Sequence, residues 1–442
     1  MTRFIAAIAF VVALPLNARA EDLLQVYRDA RAYDAQYAAA RFALQAGQEK
    51  LPQGRSLLLP TIGLSANVSD TRLQLDSDNT ALLPSYNRTF NTNGYALNLS
   101  QPIYRKQNLL QYDEAGYQVK QAEATFGQAA QDLIVRAAQA YFDVLAARDT
   151  LTLVVAQKAA ISEQLAQAKR NFEVGTATIT DTHEAQARYD LIVAQEIAAQ
   201  NDLQNKNSAL QQLTGKEYAH LSPLRKNVKL TPPNPNDAQS WVDLAEKQSY
   251  PVQLQQATTE IANLEMKRNA AGHYPTLDLV ASYGQINQTG SSLTAVGSSA
   301  NQGVVGLQLA VPLYQGGAIS SREREAAANY EKARQDLENA RRSAALTAHQ
   351  SYLGVVNGVA QVGALEQALV SSQSALDSNK LGYEVGVRIN IDVLNAQQQL
   401  FSTERDLALA RYNTITTQLK LKAAAGSLRE DDLEQVNLAL AP

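Results

Sequence analysis

The sequence has no cysteine, no excess of basic residues and few aromatic side chains. Without cysteine, the chain cannot form disulfides, thiolate nucleophiles or thiolate-ligated metal sites. The formal net charge of −4 argues against a nucleic-acid-binding protein, because such proteins usually carry a basic surface. Aromatic residues make up 6% of the chain, and most are tyrosines, which combine an apolar ring with a polar tip.

Signatures of catalysis are missing as well. The 4 histidines are scattered along the chain, and no H-E-x-x-H, P-loop or nucleophile-elbow motif occurs. We therefore predict that the protein is not an enzyme and has no catalytic residue, metal site or cofactor.

Long hydrophobic runs are absent after the first twenty residues. Arg3 precedes an apolar stretch from about Phe4 to Leu16, and residues 18–20 read Ala-Arg-Ala, the A-x-A pattern of a cleavage site. An anchor helix is the alternative, but this stretch is shorter than the roughly 20 residues that span a bilayer. We predict a signal peptide at 1–20. The exported chain is then either soluble in the envelope or inserted as a β-barrel.

The chain contains a tandem repeat. Two pairs of similar segments are "LPTIGLSA" at 59–66 with "YPTLDLVA" at 274–281, and "LNLSQPIY" at 97–104 with "LQLAVPLY" at 307–314. A third pair is "FEVGTATITDTHEAQ" at 172–186 with "YEVGVRINIDVLNAQ" at 383–397. These pairs predict two structural repeats that share one plan. The predicted domains are the repeats at 21–220 and 241–426, a Pro-rich linker at 221–240 and a C-terminal tail at 427–442.

Each repeat is predicted to contain a β-hairpin of membrane-spanning length. The hairpins, at about 61–104 and 276–314, alternate apolar and polar residues with the period of two that marks a strand. A tilted strand of about ten residues is long enough to cross a bilayer. Tyr104 and Tyr314 lie at matching strand ends, as in an interfacial aromatic belt. A soluble sandwich with half-buried strands is the alternative.

Each repeat is also predicted to contain a very long helix. Proline is missing from 107–169 and 318–380, and each run would make a helix of roughly 95 Å at 1.5 Å per residue. Alanine and apolar residues recur every three or four positions, a coiled-coil spacing that allows close helix packing. The tip turns are predicted at 172–181 and 383–392, and the return helices at 181–213 and 392–425. Each repeat thus forms an antiparallel helical hairpin.

Four strands are too few for a barrel, because even small barrels need eight. Lipid offers no hydrogen-bond partners to an open strand edge. If these strands span a membrane, several chains must share one barrel, and the protein is an obligate oligomer with a helical tube attached.

These features together resemble the TolC-type outer-membrane efflux and secretion channels. The resemblance rests on the signal peptide, the twofold repeat, "QPIY" and "VPLYQGG" before the long helices, and "GYEVGVRINIDVLNAQ" at the second tip. It implies a mixed α/β membrane protein. A homotrimer would form one twelve-stranded transmembrane β-barrel, four strands from each subunit, continued into the periplasm by a long α-helical coiled-coil barrel.

The resemblance implies a channel that exports drugs or, as in type I secretion, proteins. Its expected partners are outer-membrane lipid, a periplasmic adaptor and an inner-membrane pump of the RND, ABC or MFS type. Nucleic acid is not an expected partner. The alternative is a periplasmic or surface coiled-coil scaffold, or an adhesin, without a channel.

In this family the two tip turns form the periplasmic entrance, which polar links hold closed. By motif, Tyr383 and Arg388 are expected to bond, within or between subunits, to residues of the first repeat: Gln164, Thr180 and Asp181. The first repeat has Phe172 and Ala177 at the positions of Tyr383 and Arg388, and neither can supply those bonds. Alternatively, Arg388 is a solvated loop cation.

Asp392 matches the constriction aspartate of the family. A second family aspartate, three residues further on, is Asn395 here. Three Asp392 carboxylates would ring the entrance, and such acidic rings select cations. The alternative, compatible with the first, is that Asp392 is a helix N-cap, with Asp181 at the equivalent cap. Gly175 and Gly386 are predicted to make the two turns.

Overall fold

The computed structural model describes residues 21–78, 85–225, 228–292 and 294–441. The predicted signal peptide at 1–20 lies outside the described residues. The chain divides into two units. The helical unit comprises the residues up to Ala39, Ala129–Ser249 and the residues from Ala344 onward, and the sheet unit comprises Ala40–Gln128 and Tyr250–Ser343.

The sheet unit contains one antiparallel sheet of four strands in sequence order. The strands are β1 (Thr61–Leu75), β2 (Tyr86–Tyr104), β3 (Thr276–Gln288) and β4 (Ser298–Ala310). β1–β2 and β3–β4 are the hairpins of the two repeats, and β2 pairs with β3, so one sheet holds both repeats. β4 ends at Ala310, whereas the second hairpin was predicted to reach 314. Pro312 follows, and proline has no N–H to donate to a strand ladder.

The two faces of the sheet differ in chemistry. Residues directly opposite each other on neighbouring strands share a face. One row reads Ile62, Leu99, Ala281, Val305, and the adjacent row on the other face reads Gly63, Asn98, Ser282, Val304. The apolar face is open, since Leu64 is 74% and Val305 78% exposed. A soluble sandwich would bury this face against a second sheet, and the described residues form only one sheet.

The described residues form ten α-helices, of which four are long. They are α1 (Leu23–Tyr33), α2 (Ala35–Gln48), α3 (Lys50–Ser56), α4 (Lys106–Glu173), α5 (Ile179–Thr214), α6 (Ala238–Gln248), α7 (Tyr250–Ala270), α8 (Ala318–Glu384), α9 (Asn390–Ala424) and α10 (Glu430–Asn437). With 68 and 67 residues, α4 and α8 each run four residues beyond the predicted proline-free runs.

In the helical unit each long helix lies against its return helix. α8 packs on α9 through Val362, Leu407 and Ala410, while Ile161 of α4 and Ile192 of α5 meet Leu394 of α9. The contact at Leu394 joins the hairpin of one repeat to that of the other. Burial of such apolar side chains is the main source of helix stability in a long hairpin.

The segments predicted as a linker and a tail belong to the helical unit and pack within it. Leu224 forms an isolated bridge with Leu440, and Gln418 of α9 donates to the carbonyl of Thr231 at 3.0 Å. The C-terminal segment contains α10, whose Leu433 is fully buried.

By length and composition alone, one described helix, α8, could cross a membrane. Its most apolar stretch of 18 residues has a mean hydropathy of 1.3, and 11% of that stretch is buried. In the repeat, α8 is the counterpart of α4, and its small and apolar residues have the coiled-coil spacing described above.

Candidate functional site at the helix tips

The first tip turn is closed by a complete capping box. Gly175 has a φ of 79°, a left-handed conformation that glycine adopts without strain. Thr178 is the N-cap of α5; its Oγ1 accepts from the Asp181 N–H, and the Asp181 carboxylate accepts from the Thr178 N–H at 2.9 Å. The Asp181 carboxylate is therefore engaged within its own turn.

The second tip turn repeats the backbone but not the cap. Gly386 also has a φ of 79°. Ile389 occupies the cap position of α9, makes no side-chain cap hydrogen bond, and leaves Asp392 three residues inside the helix. The interpretation of Asp392 and Asp181 as N-caps is therefore wrong: the caps are Ile389 and Thr178. Since no cap side chain bonds to it, the Asp392 carboxylate remains available.

Arg388 lies over the end of α8 and points toward Asp392. Its Nη1 is 3.7 Å from Asp392 Oδ2, and the two side chains are 59% and 34% exposed. The aliphatic part of Arg388 packs where a side chain at Gly382 would be, because a Cβ there would lie 2.7 Å from Arg388 Cγ. The first turn has Asn171 at the position of Gly382. The placement of Arg388 thus depends on glycine at 382.

Polar bonds join the two hairpins near the tip. Asn171 Nδ2 donates to the Tyr383 hydroxyl at 3.2 Å. Arg188 of α5 donates from Nη1 to Gln398 Oε1 at 2.6 Å and from Nη2 to Asn395 Oδ1 at 2.9 Å. These bonds connect residues that are more than 200 positions apart in sequence.

A third connection lies further along the helices. The Tyr412 hydroxyl of α9 donates to Asp149 Oδ2 of α4 at 2.6 Å. Burial raises the pKa of the Asp149 carboxyl above its ordinary value, although the bond from Tyr412 acts in the opposite direction. Burial, the largest cause, and the nearby Asp149 charge both raise the pKa of Tyr412. The Tyr412 hydroxyl therefore keeps its proton at neutral pH.

The gate bonds expected for Tyr383 and Arg388 stay predictions. Within one subunit, Tyr383 accepts from Asn171, and Arg388 forms an ion pair with Asp392. Of the expected partners, Asp181 bonds to Thr178, Thr180 is exposed, and Gln164 Oε1 is buried without a hydrogen-bond partner among the described residues. The expectation also covers bonds between subunits.

Three residues at the tip were not singled out from sequence: Asn171, Arg188 and Gln398. Asn171 differs from its counterpart Gly382, and the comparison of repeats that identified Tyr383 and Arg388 could have found it. Arg188 and Gln398 also differ from their counterparts in the other repeat. That difference does not reveal their contact, because the contact depends on how two distant helices are rotated against each other.

A cavity of about 220 Å³ lies beside Arg188. α4, α5 and α9 surround it, with Ile161, Leu191 and Leu394 forming part of an apolar wall and Arg188 and Arg405 among its polar residues. The cavity adjoins the buried apolar cluster of Ile161, Ile192 and Leu394.

Comparison with known proteins identifies similar outer-membrane efflux and secretion proteins. The family model described as "Outer membrane efflux protein" matches residues 26–216 and 241–427. The chain is 34% identical over 425 residues to Outer membrane protein TolC of Vibrio cholerae, covering 95% of this chain and 94% of that protein. It is 31% identical over 442 residues to Proteases secretion protein PrtF of Dickeya chrysanthemi, covering 97% and 94%.

The fold is also that of solved channels. The crystal structure of the Campylobacter jejuni CmeC outer membrane channel superposes with a TM-score of 0.79 at 16% sequence identity, covering 99% of this chain and 97% of that chain.

Proposed function

The chain belongs to the outer membrane efflux protein family, and we propose that the tips of its two helical hairpins form the gate of an export channel. The protein is an outer-membrane channel for efflux or secretion, with its helices in the periplasm. Its fold class is a β-barrel joined to a helical tunnel. A trimer forms both, and each subunit supplies four strands to the barrel and long helices to the tunnel. The apolar stretch of α8 belongs to this tunnel.

Family membership excludes the alternative of a scaffold or adhesin without a channel. The relatives are channel proteins, and we assign no enzymatic role. We propose that the trimer works with a periplasmic adaptor and an inner-membrane pump of the RND, ABC or MFS type. One relative is named for protease secretion. The family description names efflux, and this relative is named for secretion, so we propose both small molecules and proteins as cargo classes.

We propose that Asp392 lines the narrowest point of the entrance. The supporting observation is that its carboxylate takes no part in capping α9 and is partly exposed, with Arg388 at 3.7 Å. In a trimer three such carboxylates face one another. At a separation of about 8 Å, two like charges repel by roughly 2 kcal/mol at an effective dielectric constant near 20. A cation in the pore relieves this repulsion, whereas an anion is repelled.

The first test is Asp392→Asn, with ion selectivity measured as the reversal potential of single channels under a salt gradient. We expect lower cation selectivity, because the substitution removes the ring of charge and keeps the side-chain size. Asp190→Asn is the matched control, since Asp190 is an exposed carboxylate on α5 that bonds to Gln186 of the same helix. Equal selectivity of Asp392→Asn and the parent channel would overturn the proposal.

We propose that Tyr383 and Arg388 hold the entrance closed. Tyr383 packs with the cluster of Leu376, Val393 and Leu400, and its hydroxyl accepts from Asn171, so it touches both hairpins. Phe172 and Ala177 in the first turn lack these polar groups, which supports a role confined to the second turn.

A further inference from the structure

We infer that Arg188 is a further gate-determining residue, which clasps the return helices of the two repeats together at the tip. The Arg188 clasp consists of Arg188 on α5 with Asn395 and Gln398 on α9. This inference rests on the proposed gate at the helix tips and is independent of where Asp392 lies in the pore.

The geometry of the clasp suits a guanidinium. Asn395 and Gln398 are three residues apart on α9 and so share one face of the helix. The two terminal nitrogens of Arg188 reach them separately, at 2.9 Å and 2.6 Å. The planar fork of arginine can make both bonds at once, whereas the ammonium of lysine is a compact point charge. Both bonds are shorter than the 3.7 Å contact between Arg388 and Asp392.

The clasp is made of a cation and two neutral acceptors. Among the described residues, no ion pair within 4.0 Å involves Arg188. Arg405, which lines the same cavity, is instead paired at 2.9 Å with Asp406, its neighbour on α9. A guanidinium bound to two amides is held less strongly than one bound to a carboxylate. The clasp is therefore strong enough to order the tip but can be broken.

This chemistry gives Asn395 a specific role. An aspartate at 395 would convert the amide bond into a salt bridge with Arg188. The asparagine keeps the bond and removes the charge. We therefore assign Asn395 to setting the strength of the clasp.

The clasp lies beside the apolar contact that joins the two hairpins near the tip. Asn395 is three residues from Asp392, and Leu394 between them packs on Ile161 and Ile192 of the other hairpin. If the return helices move apart at the tip, both Arg188 bonds break. The cavity of about 220 Å³ beside Arg188 gives the released side chain space.

The test measures the resting conductance and opening frequency of single channels. Arg188→Ala should raise the resting conductance several-fold, because the hairpins are then no longer held together. Asn395→Asp should reduce opening, and the double variant should behave like Arg188→Ala. Arg405→Ala is the matched control, since it removes a cation from the same cavity without removing a bond between hairpins, and its conductance should equal that of the parent.

Chemical restoration separates loss of the clasp from general damage. The chain has 0 cysteines, so Arg188→Cys introduces a single reactive thiol. A thiol reagent carrying a guanidinium group should return the conductance toward that of the parent, whereas an uncharged reagent of similar size should not. Migration as a heat-sensitive trimer reports assembly for every variant.

Two outcomes would overturn the inference. One is a resting conductance of Arg188→Ala equal to that of Arg405→Ala. The other is an effect of Asn395→Asp that persists unchanged when Arg188 is absent. If Arg188→Ala fails to form trimers, Asn395→Asp decides the question, because this variant keeps the cation at 188. Unaltered opening of Asn395→Asp channels contradicts the clasp. A protein that forms no pores in any variant would instead contradict the channel function.

Discussion

At the scale of single residues, the two tip turns differ more than they resemble each other. Both have a left-handed glycine and an aspartate at the third position of the following helix. In the first turn, Thr178 engages the aspartate, whereas in the second turn Ile389 cannot. Asp181 thus serves the local structure of its turn, whereas Asp392 takes no part in capping and forms an ion pair with Arg388.

Arg388→Ser is the residue-scale prediction for the proposed latch. We expect a higher resting conductance, because serine is too short to reach the partners proposed for Arg388 and removes its charge. Single-channel recording in planar bilayers measures the effect. Arg342→Ser is the control, since Arg342 is exposed and pairs at 2.9 Å with Glu338 of its own helix. A closed-state conductance that Arg388→Ser leaves unaltered would count against the latch.

At the scale of elements, the difference in capping makes the two helix starts unequal in stability. The capping box of α5 satisfies two backbone N–H groups at its first turn, those of Thr178 and Asp181, and α9 begins without a capping box. A missing side-chain cap costs about 1 kcal/mol of helix stability. The start of α9, which carries Asp392, is therefore expected to open more readily than the start of α5.

Thr178→Ala tests this inequality. Removing the hydroxyl leaves the Asp181 N–H without its acceptor, and a loss of about 1 kcal/mol predicts roughly fivefold faster exchange of that amide with deuterium. Hydrogen exchange followed by mass spectrometry over the first turn of α5 measures it. Ile389→Ala should leave exchange at the start of α9 unchanged, because no side-chain cap is lost there. Equal acceleration in both variants would show that the capping box is not the cause.

At the scale of the whole molecule, the exposed apolar face of the sheet is explained by a membrane. An exposed apolar face that extends across four strands of a soluble protein would be a site of aggregation or binding. In a trimeric outer-membrane barrel it faces lipid, and the polar face with Asn98 and Ser282 faces the lumen. The open edges of β1 and β4 then pair between subunits, since lipid cannot satisfy them.

Val305 and Val304 offer a matched test of this arrangement. Val305 lies opposite Ala281 on the apolar face, and Val304 lies opposite Ser282 on the polar face. Val305→Arg should cost about 2 to 4 kcal/mol if the residue lies near the bilayer centre, and Val304→Arg much less. The yield of heat-sensitive trimer in outer-membrane fractions measures both. A lower yield for Val304→Arg than for Val305→Arg would reverse the assignment of the faces.

The sequence alone predicted the elements of this fold because their signals are local. Alternation with a period of two marks the strands, proline-free runs with coiled-coil spacing mark the long helices, and the glycines mark the turns. The repeat also showed where the two halves differ, at Tyr383 and Arg388. Each of these inferences compares residues that are close in sequence or related by one fixed offset.

Tertiary structure decided what the local pattern could not. The cap of α9 is Ile389 rather than Asp392, because a helix start depends on backbone conformation, which residue preference alone does not determine. Arg188 meets Asn395 and Gln398 only because α5 and α9 are rotated so that these side chains face each other. The sequence by itself thus determined the elements and their order. Only the packing of α5 against α9 decided which side chains could join the two halves at the tip, such as Arg188 and Asn395, which are 207 positions apart in sequence.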